Sequence, residues 1–372
     1  MTPKEFPRFR QGLLSWFETH HRRLPWRQTS DPYRIWVSEV MLQQTQVNRV
    51  LEYYEGFIRK FPTPRHLAAA ELQDILKSWE GLGYYTRARN LSKAAKVIVG
   101  KMSGNPPADY PTFRKLPGVG DYTAAAVQSI AFNKPYAAVD GNVKRVLARL
   151  LLIEAPINRS TPAKIFQDKA NELLDRRAPG QFNQAMMELG ATVCRAKSPR
   201  CCLCPVRIFC HAFQANLQEL FPIRLKSKPI PEHHAAVAVV QKENEVLITQ
   251  RKTDGLLGGL WEFPGGNIKA KEAADLTCIR KIQEEVNLVI GNPKFLTRVR
   301  HTYTHFKIVV DVFHFHYISG NVILDGPVDY QWVQIHEINQ YPFPRANHKF
   351  IPLLQKIIKP EGETHKECGH PT

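Results

Sequence analysis

Four cysteines, Cys194, Cys201, Cys204 and Cys210, stand in the spacing C-x6-C-x2-C-x5-C. Four thiolates from one short stretch can surround a metal centre, either a tetrahedral zinc ion or an iron–sulfur cluster. Zinc sites with four cysteines often use two C-x2-C pairs; only Cys201 and Cys204 form one here, so spacing alone leaves both options open. Cys202 is a fifth thiol next to Cys201, and one of the two must point away. Arg195, Lys197, Arg200 and Arg207 interleave these cysteines, as suits a basic loop facing phosphate. Five of the chain's seven cysteines crowd into this segment, unlike the spread framework of a secreted disulfide protein. Cys278 and Cys368 read as ordinary residues.

Two carboxylates have contrasting surroundings. With Arg34 to Leu51 taken as a helix, Trp36, Val40 and Val47 bound one side of an apolar arc, and Ile35 and Leu42 the other. Glu39 falls inside that arc, with Gln43 and Gln46 beside it. Desolvation there raises a carboxyl's pKa, which suits a general acid near neutral pH. A buried glutamate paired with an arginine fits the same pattern. Asp140 precedes Gly141-Asn142-Val143-Lys144-Arg145-Val146-Leu147, the position of a helix N-cap. Helix N–H groups favour its anion, so this carboxyl is expected to stay ionised. One carboxyl pushed up and one held down would divide acid and electrostatic roles.

The string Leu116-Pro117-Gly118-Val119-Gly120-Asp121-Tyr122-Thr123-Ala124 joins two helical segments. Gly118 and Gly120 permit positive φ and close backbone approach, and the free N–H groups of the next helix suit a phosphate. An ordinary αα turn would look similar. Lys and Arg total 51 against 34 Asp and Glu, a formal net charge of +17, which points to a polyanionic partner and first to nucleic acid. A basic protein without such a partner remains the plain alternative. No run approaches the ~20 apolar residues of a membrane span. Met1 to Phe17 lacks a secretory core; Phe9, Leu13, Leu14 and Phe17 instead mark one face of an amphipathic helix. The expected setting is a reducing, bacterial cytoplasm, in association with the nucleoid.

The elements that must position these residues fall into two halves. Up to about residue 215 the pattern is helical, with segments over Ile35–Ile58, Leu72–Lys77, Ala88–Val99 and Tyr122–Ile130. Phe221 to His234, with Pro222, Pro229 and Pro231 among Arg224, Lys226 and Lys228, reads as an extended basic linker. Beyond it the period becomes two. Strands are expected over Ala235–Val240, Val246–Arg251 and His301–Ile318, with a helix over Lys271–Val286 whose face is Leu276, Ile279, Ile282 and Val286. The fold class is therefore multidomain: an all-α domain (1–220), a linker (221–234), an α/β domain (235–358) and a disordered tail (359–372).

Several of these strings resemble one family. The cysteine spacing is similar to the [4Fe–4S] loop of the endonuclease III and MutY glycosylases, with Cys201 rather than Cys202 completing it. The Leu116–Ala124 string resembles their helix-hairpin-helix. Trp36-Val37-Ser38-Glu39-Val40-Met41-Leu42-Gln43-Gln44-Thr45-Gln46-Val47 looks like the MutY acid helix, and Val139-Asp140-Gly141-Asn142-Val143 like its aspartate motif. The resemblance spans most of residues 6 to 215. It implies base flipping, with Glu39 protonating the extruded adenine, Asp140 stabilising the positive sugar, and Asn142 supporting Asp140. Gln44 and Tyr84, the latter in Gly81-Leu82-Gly83-Tyr84-Tyr85, would fill the stack near the lesion. Tyr122 stands where the strand-nicking relatives carry a lysine, so the resemblance implies a monofunctional enzyme.

In the second half Gly266, Glu272, Arg280, Glu284 and Glu285 fit the Nudix signature, but Lys281 replaces a metal-binding glutamate and Asn287 a glycine. A lysine there disfavours a metal-dependent pyrophosphatase. This half resembles the Nudix-like domain of the MutY family, with Tyr303, Thr304 and His305 at the positions of its Phe-Ser-His lesion-facing motif. The implied partner is double-stranded DNA carrying adenine opposite 8-oxoguanine or guanine, bound by a monomer. A strand-nicking glycosylase and a non-catalytic iron–sulfur DNA-binding scaffold are the alternatives. Tyr122 disfavours the first, and Glu39 with Asp140 the second.

Overall fold

A computed structural model describes residues 1–159, 163–226 and 229–358; the expected disordered tail lies outside them. The chain forms two compact units that do not follow chain order. One comprises Met1–Ala69 and Asn90–Ser227, the other Ala70–Arg89 and Lys228–Thr372. A division drawn only at residues 221–234 therefore leaves out the early segment that packs with the later half. Its ties are long-range and leave no local pattern. Gln73 donates to the Gly259 carbonyl at 2.9 Å, Arg89 to the Gly258 carbonyl at 2.7 Å, and Glu80 accepts from the Phe343 N–H at 2.8 Å.

The first unit is helical. The helix Phe6–His20 buries Phe9, Leu13 and Phe17 in a core with Val146, Leu147, Phe182 and Leu189. The acid helix is Pro32–Leu42, with Pro32 at its first position and Asp31 capping Tyr33 N and Arg34 N. It does not continue to Ile58 as its periodicity suggested. Gln44 takes a left-handed φ of 57°, and a new helix, Val47–Lys60, starts after the break. No glycine or proline marks that break, so the pattern carries straight across it. The hairpin helix Asp121–Phe132 follows a turn in which Gly118 has φ 76°. A Cβ on Gly118 would lie 2.7 Å from Asn90 Cβ, so both backbone conformation and space demand glycine. The aspartate helix Gly141–Leu151 is capped by Asp140. The start of the expected linker is pinned: Phe221 O accepts from Arg149 Nε at 2.9 Å, and Ile157 N donates to Ile223 O at 3.1 Å.

The second unit is built on a mixed eight-stranded sheet: β1 (Glu232–Lys242), β2 (Glu245–Gln250), β3 (Trp261–Glu262), β4 (Gly265–Asn267), β5 (Val289–Ile290), β6 (Lys294–Thr302), β7 (Lys307–Ser319) and β8 (Asp329–Gln334). Parallel β1 and β7 run together from Glu232↔Lys307 to Gln241↔His316. The helix Ala274–Val286 covers one face with Cys278, Ile282 and Val286, against Ala236, Ala238 and Phe315. Leu276 and Ile279, expected on the buried face, are 55% and 40% exposed. The stripe at i, i+4, i+8 through Cys278 meets the sheet, and the one through Leu276 points away from it. The strand expected over His301–Ile318 is broken by a turn at Tyr303–Phe306, where Tyr303 N donates to Phe306 O at 2.8 Å. Among the described residues no helix is long and apolar enough to cross a membrane.

Candidate active site

A cavity of about 570 Å³ opens in the helical unit between the acid helix, Tyr122 of the hairpin helix, and the start of the aspartate helix. Glu39 is 5% exposed, and burial pushes its carboxyl up to about 7. The Tyr122 hydroxyl donates to Oε2 at 2.8 Å and, with the nearby Arg27 charge, pulls the other way. Burial raises the Tyr122 phenol well above its ordinary value, so it stays a neutral donor. Gln44 lines the same cavity at the break after the acid helix.

Asp140 Oδ1 accepts from Val143 N at 2.7 Å, and Oδ2 from Asn142 Nδ2 at 2.7 Å. These bonds were expected to hold its carboxyl below the usual range. Burial outweighs them and raises it. Both carboxyls are thus desolvated and raised, rather than one pushed up and one held down. Asn142 Oδ1 accepts in turn from Arg145 Nη2 at 2.7 Å, which also donates to Gly190 O at 2.8 Å.

The buried glutamate that pairs with arginine is Glu188 rather than Glu39. Its carboxylate, fully buried, takes Arg22 Nε and Nη2 at 2.8 and 2.7 Å and Arg27 Nη2 at 2.8 Å. Burial would raise its pKa, but these hydrogen bonds together outweigh burial and hold it at about 2. All three residues line the cavity, and sequence reasoning missed them. The one signal was three arginines, Arg22, Arg23 and Arg27, around Leu24-Pro25-Trp26, with no spacing that ties them to position 188.

None of the described cysteines is in a disulfide; Cys202 is exposed, whereas Cys194, Cys204 and Cys210 pack against the helical core. Arg149, 2% exposed, donates through Nη1 to Cys194 Sγ at 3.3 Å and to Arg195 O at 2.6 Å. Among the described residues no group of three or more His, Cys, Asp or Glu side chains has a geometry that could hold a single metal ion.

In the second unit Tyr303, Thr304 and His305 form the tip of the β6–β7 hairpin. The Tyr303 ring turns inward, stacked on Phe306 at 4.7 Å and 28°, while Thr304 and His305 are exposed. His305 lies edge-on to Tyr84, with ring centroids 6.2 Å apart. Tyr84 itself has φ 50°, between Gly83 at 76° and the rest of the 81–85 turn, and its buried hydroxyl has no hydrogen-bond partner. Lys281 Nζ sits 2.8 Å from Glu285 Oε1 and 3.5 Å from Glu284 Oε2, and Arg280 pairs with Glu272 at 2.7 Å.

A family model described as HhH-GPD superfamily base excision DNA repair protein matches residues 37–172, and one described as NUDIX domain matches residues 235–353. The adenine DNA glycosylase of Homo sapiens is 33% identical over 407 residues, covering 94% of this chain and 74% of that protein. The chain belongs to the adenine DNA glycosylase family. The family member from Rattus norvegicus is 35% identical, covering 82% of this chain and 70% of its own. The one from Buchnera aphidicola (subsp. Baizongia pistaciae) is 38% identical, covering 69% and 73%. A solved thermostable thymine-DNA glycosylase superposes with TM-score 0.53 at 30% identity, covering 57% of this chain and 98% of its own. A trapped endonuclease III–DNA covalent intermediate superposes with TM-score 0.50 at 25% identity, covering 58% and 99%. This adenine DNA glycosylase family member is thus a base-excision repair glycosylase with a helix-hairpin-helix domain and a Nudix-like domain.

Within this family member the structure gathers Glu39, Gln44, Tyr122, Asp140 and Asn142 around one cavity. It places Gly118 and Gly120 in the turn before the hairpin helix, the four cysteines in one loop, and Tyr84 against His305.

Proposed function

We propose that this enzyme hydrolyses the N-glycosidic bond of adenine opposite 8-oxoguanine, or opposite guanine, and stops at the abasic site. The observation that carries this reading is Glu39, a carboxyl titrating at about 7 in a cavity of purine-accepting size. At neutral pH much of it is protonated, as a general acid requires. The Tyr122 O–H donates to Oε2, which leaves Oε1 to carry the acid proton. Glu39 delivers that proton to a ring nitrogen of the flipped adenine as the C–N bond breaks. Positive charge then develops on the sugar. Asp140, held by Val143 N and Asn142 Nδ2, faces it with a fixed carboxylate, and low local polarity strengthens that interaction. Water adds its hydroxyl to the sugar carbon and gives its remaining proton to the Glu39 carboxylate, which restores the acid. Tyr122, a phenol, cannot form the imine that strand nicking needs.

Cys194, Cys201, Cys204 and Cys210 would hold a [4Fe–4S] cluster. Their four unpaired thiols supply the donor set, and the buried Arg149 guanidinium on Cys194 Sγ suits a negatively charged thiolate centre. When bound, the cluster would fix the 194–210 loop and supply no proton or nucleophile. Thr304, His305 and Tyr84 would read the lesion strand, with Tyr303 bracing the hairpin tip. Gln44 would enter the base stack, and Gly118 and Gly120 would present N–H groups to phosphate. Lys281 gives the second unit an internal cation in place of a divalent ion, in keeping with a reader rather than a hydrolase.

The test is a duplex with adenine opposite 8-oxoguanine, incubated with the enzyme and divided. Strand breaks should appear only after alkali, and borohydride should trap no covalent adduct. Breaks without alkali, or efficient trapping, would contradict the monofunctional reading. No alkali-labile site would contradict adenine removal.

A further inference from the structure

A second cavity, of about 540 Å³, lies on the other side of Tyr122 in the same unit, and Tyr122, Val139 and Lys144 line both. The reaction proposed above leaves the second cavity without a role. During that reaction the flipped nucleotide stays joined to its strand through the sugar and phosphates. After the C–N bond is cut, the abasic sugar stays joined to its strand on the side from which the base entered. The free base left behind it is a neutral, planar purine.

The second cavity has the chemistry to receive it. Tyr110 and Tyr136 stack at 4.5 Å and 29°, and Tyr136 is 37% exposed, so an aromatic face is available. The Tyr110 hydroxyl lies 3.4 Å from Asp121 Oδ1, which fixes that ring. In the same space Gln167 Nε2 donates to Ala137 O at 2.8 Å and to Asn171 Oδ1 at 3.5 Å, so Gln167 Oε1 is the acceptor and Asn171 Nδ2 the donor offered to a purine edge. Tyr122 lines both cavities with its hydroxyl on Glu39, and Ala125, one turn along the hairpin helix, lines the second. We infer that this cavity is an exit site for the excised purine base, gated by Tyr122; the inference rests on the adenine-removal reading.

The experiment uses the full-length enzyme and a duplex whose excisable adenine is radiolabelled, opposite 8-oxoguanine. Cutting is read as alkali-labile scission under single turnover, and base release as label passing a protein-retaining filter. Ala163 and Lys164 are exposed lining positions where tryptophan can be placed without disturbing the core. The combined Ala163→Trp and Lys164→Trp variant should cut at the wild-type rate while label release lags by at least about tenfold. In a second measurement Tyr136→Ala should weaken binding of free adenine to the enzyme–abasic-duplex complex at least about fivefold, as loss of base stacking requires. Label that leaves the variant together with scission, or unchanged adenine binding, would overturn the exit site. Loss of duplex affinity in the tryptophan variant would also overturn it, by showing that the cavity faces the DNA backbone. A wild type that does not cut would overturn the proposed reaction itself, and the exit site with it.

Discussion

Burial sets the titration of Glu39 near 7, against the opposing hydrogen bond from Tyr122 and the charge of Arg27. The acid form is the active one, so the single-turnover rate should be flat below that pH and fall above it with one proton. Tyr122→Phe removes a bond that favours the carboxylate. Glu39 should then titrate higher, and the alkaline limb of the pH–rate profile should move to higher pH; a shift to lower pH would contradict the assignment. Burial of Glu39 was legible because Trp36, Val40 and Ile35 lie within the acid helix on the same apolar arc. The direction for Asp140 was not. Capping is a local property and pointed down, whereas the burial that wins is set by residues distant in sequence. The Arg22–Glu188–Arg27 group escaped for the same reason.

At the scale of elements, the aspartate helix and the segment before Cys194 touch through Gly190. A Cβ there would lie 2.6 Å from Asn142 Cβ and 3.0 Å from its carbonyl oxygen. Gly190→Ala should therefore cost about 1–3 kcal/mol by overpacking and slow adenine release by displacing Asn142 from Asp140. Chemical denaturation and single-turnover kinetics check the two effects, and unchanged values in both would show that the contact relaxes freely. Cys204→Ser should lose iron and colour, and wild type that purifies with zinc and no iron would defeat the cluster. Helices over 86–101 and 121–132 were readable from their formers and glycine punctuation. The break at Gln44 and the hairpin tip at Tyr303–Phe306 were not, since neither carries a glycine or proline. The face of the Ala274–Val286 helix misled because Leu276 and Ile279 are apolar yet exposed.

For the molecule as a whole, composition divided the chain into a helical half and a strand-containing half around the proline-rich segment. It could not reveal that Ala70–Arg89 packs with the later unit, because Gln73, Glu80 and Arg89 reach partners more than 160 positions away. That packing is what sets Tyr84 beside His305. Thr304→Ala combined with His305→Ala should reduce the preference for 8-oxoguanine over guanine opposite adenine and leave the chemical step intact. Equal relative rates on the two mispairs, before and after, would move lesion reading elsewhere. The central claim is that this fold removes adenine by protonation from Glu39. Because the folded carboxyl titrates at about 7 against an ordinary 4.5, the unfolded chain releases its proton first as pH rises. Stability is therefore lost across that window, by up to about 3 kcal/mol. Glu39→Gln should consequently fold at least as stably as wild type at pH 7.5 and bind the mispaired duplex with similar affinity. Its single-turnover rate of adenine release on the 8-oxoguanine duplex is the deciding measurement. The rate should fall by about 10²–10⁴-fold, the usual worth of a general acid, and retention of more than about a tenth of the wild-type rate would contradict the account.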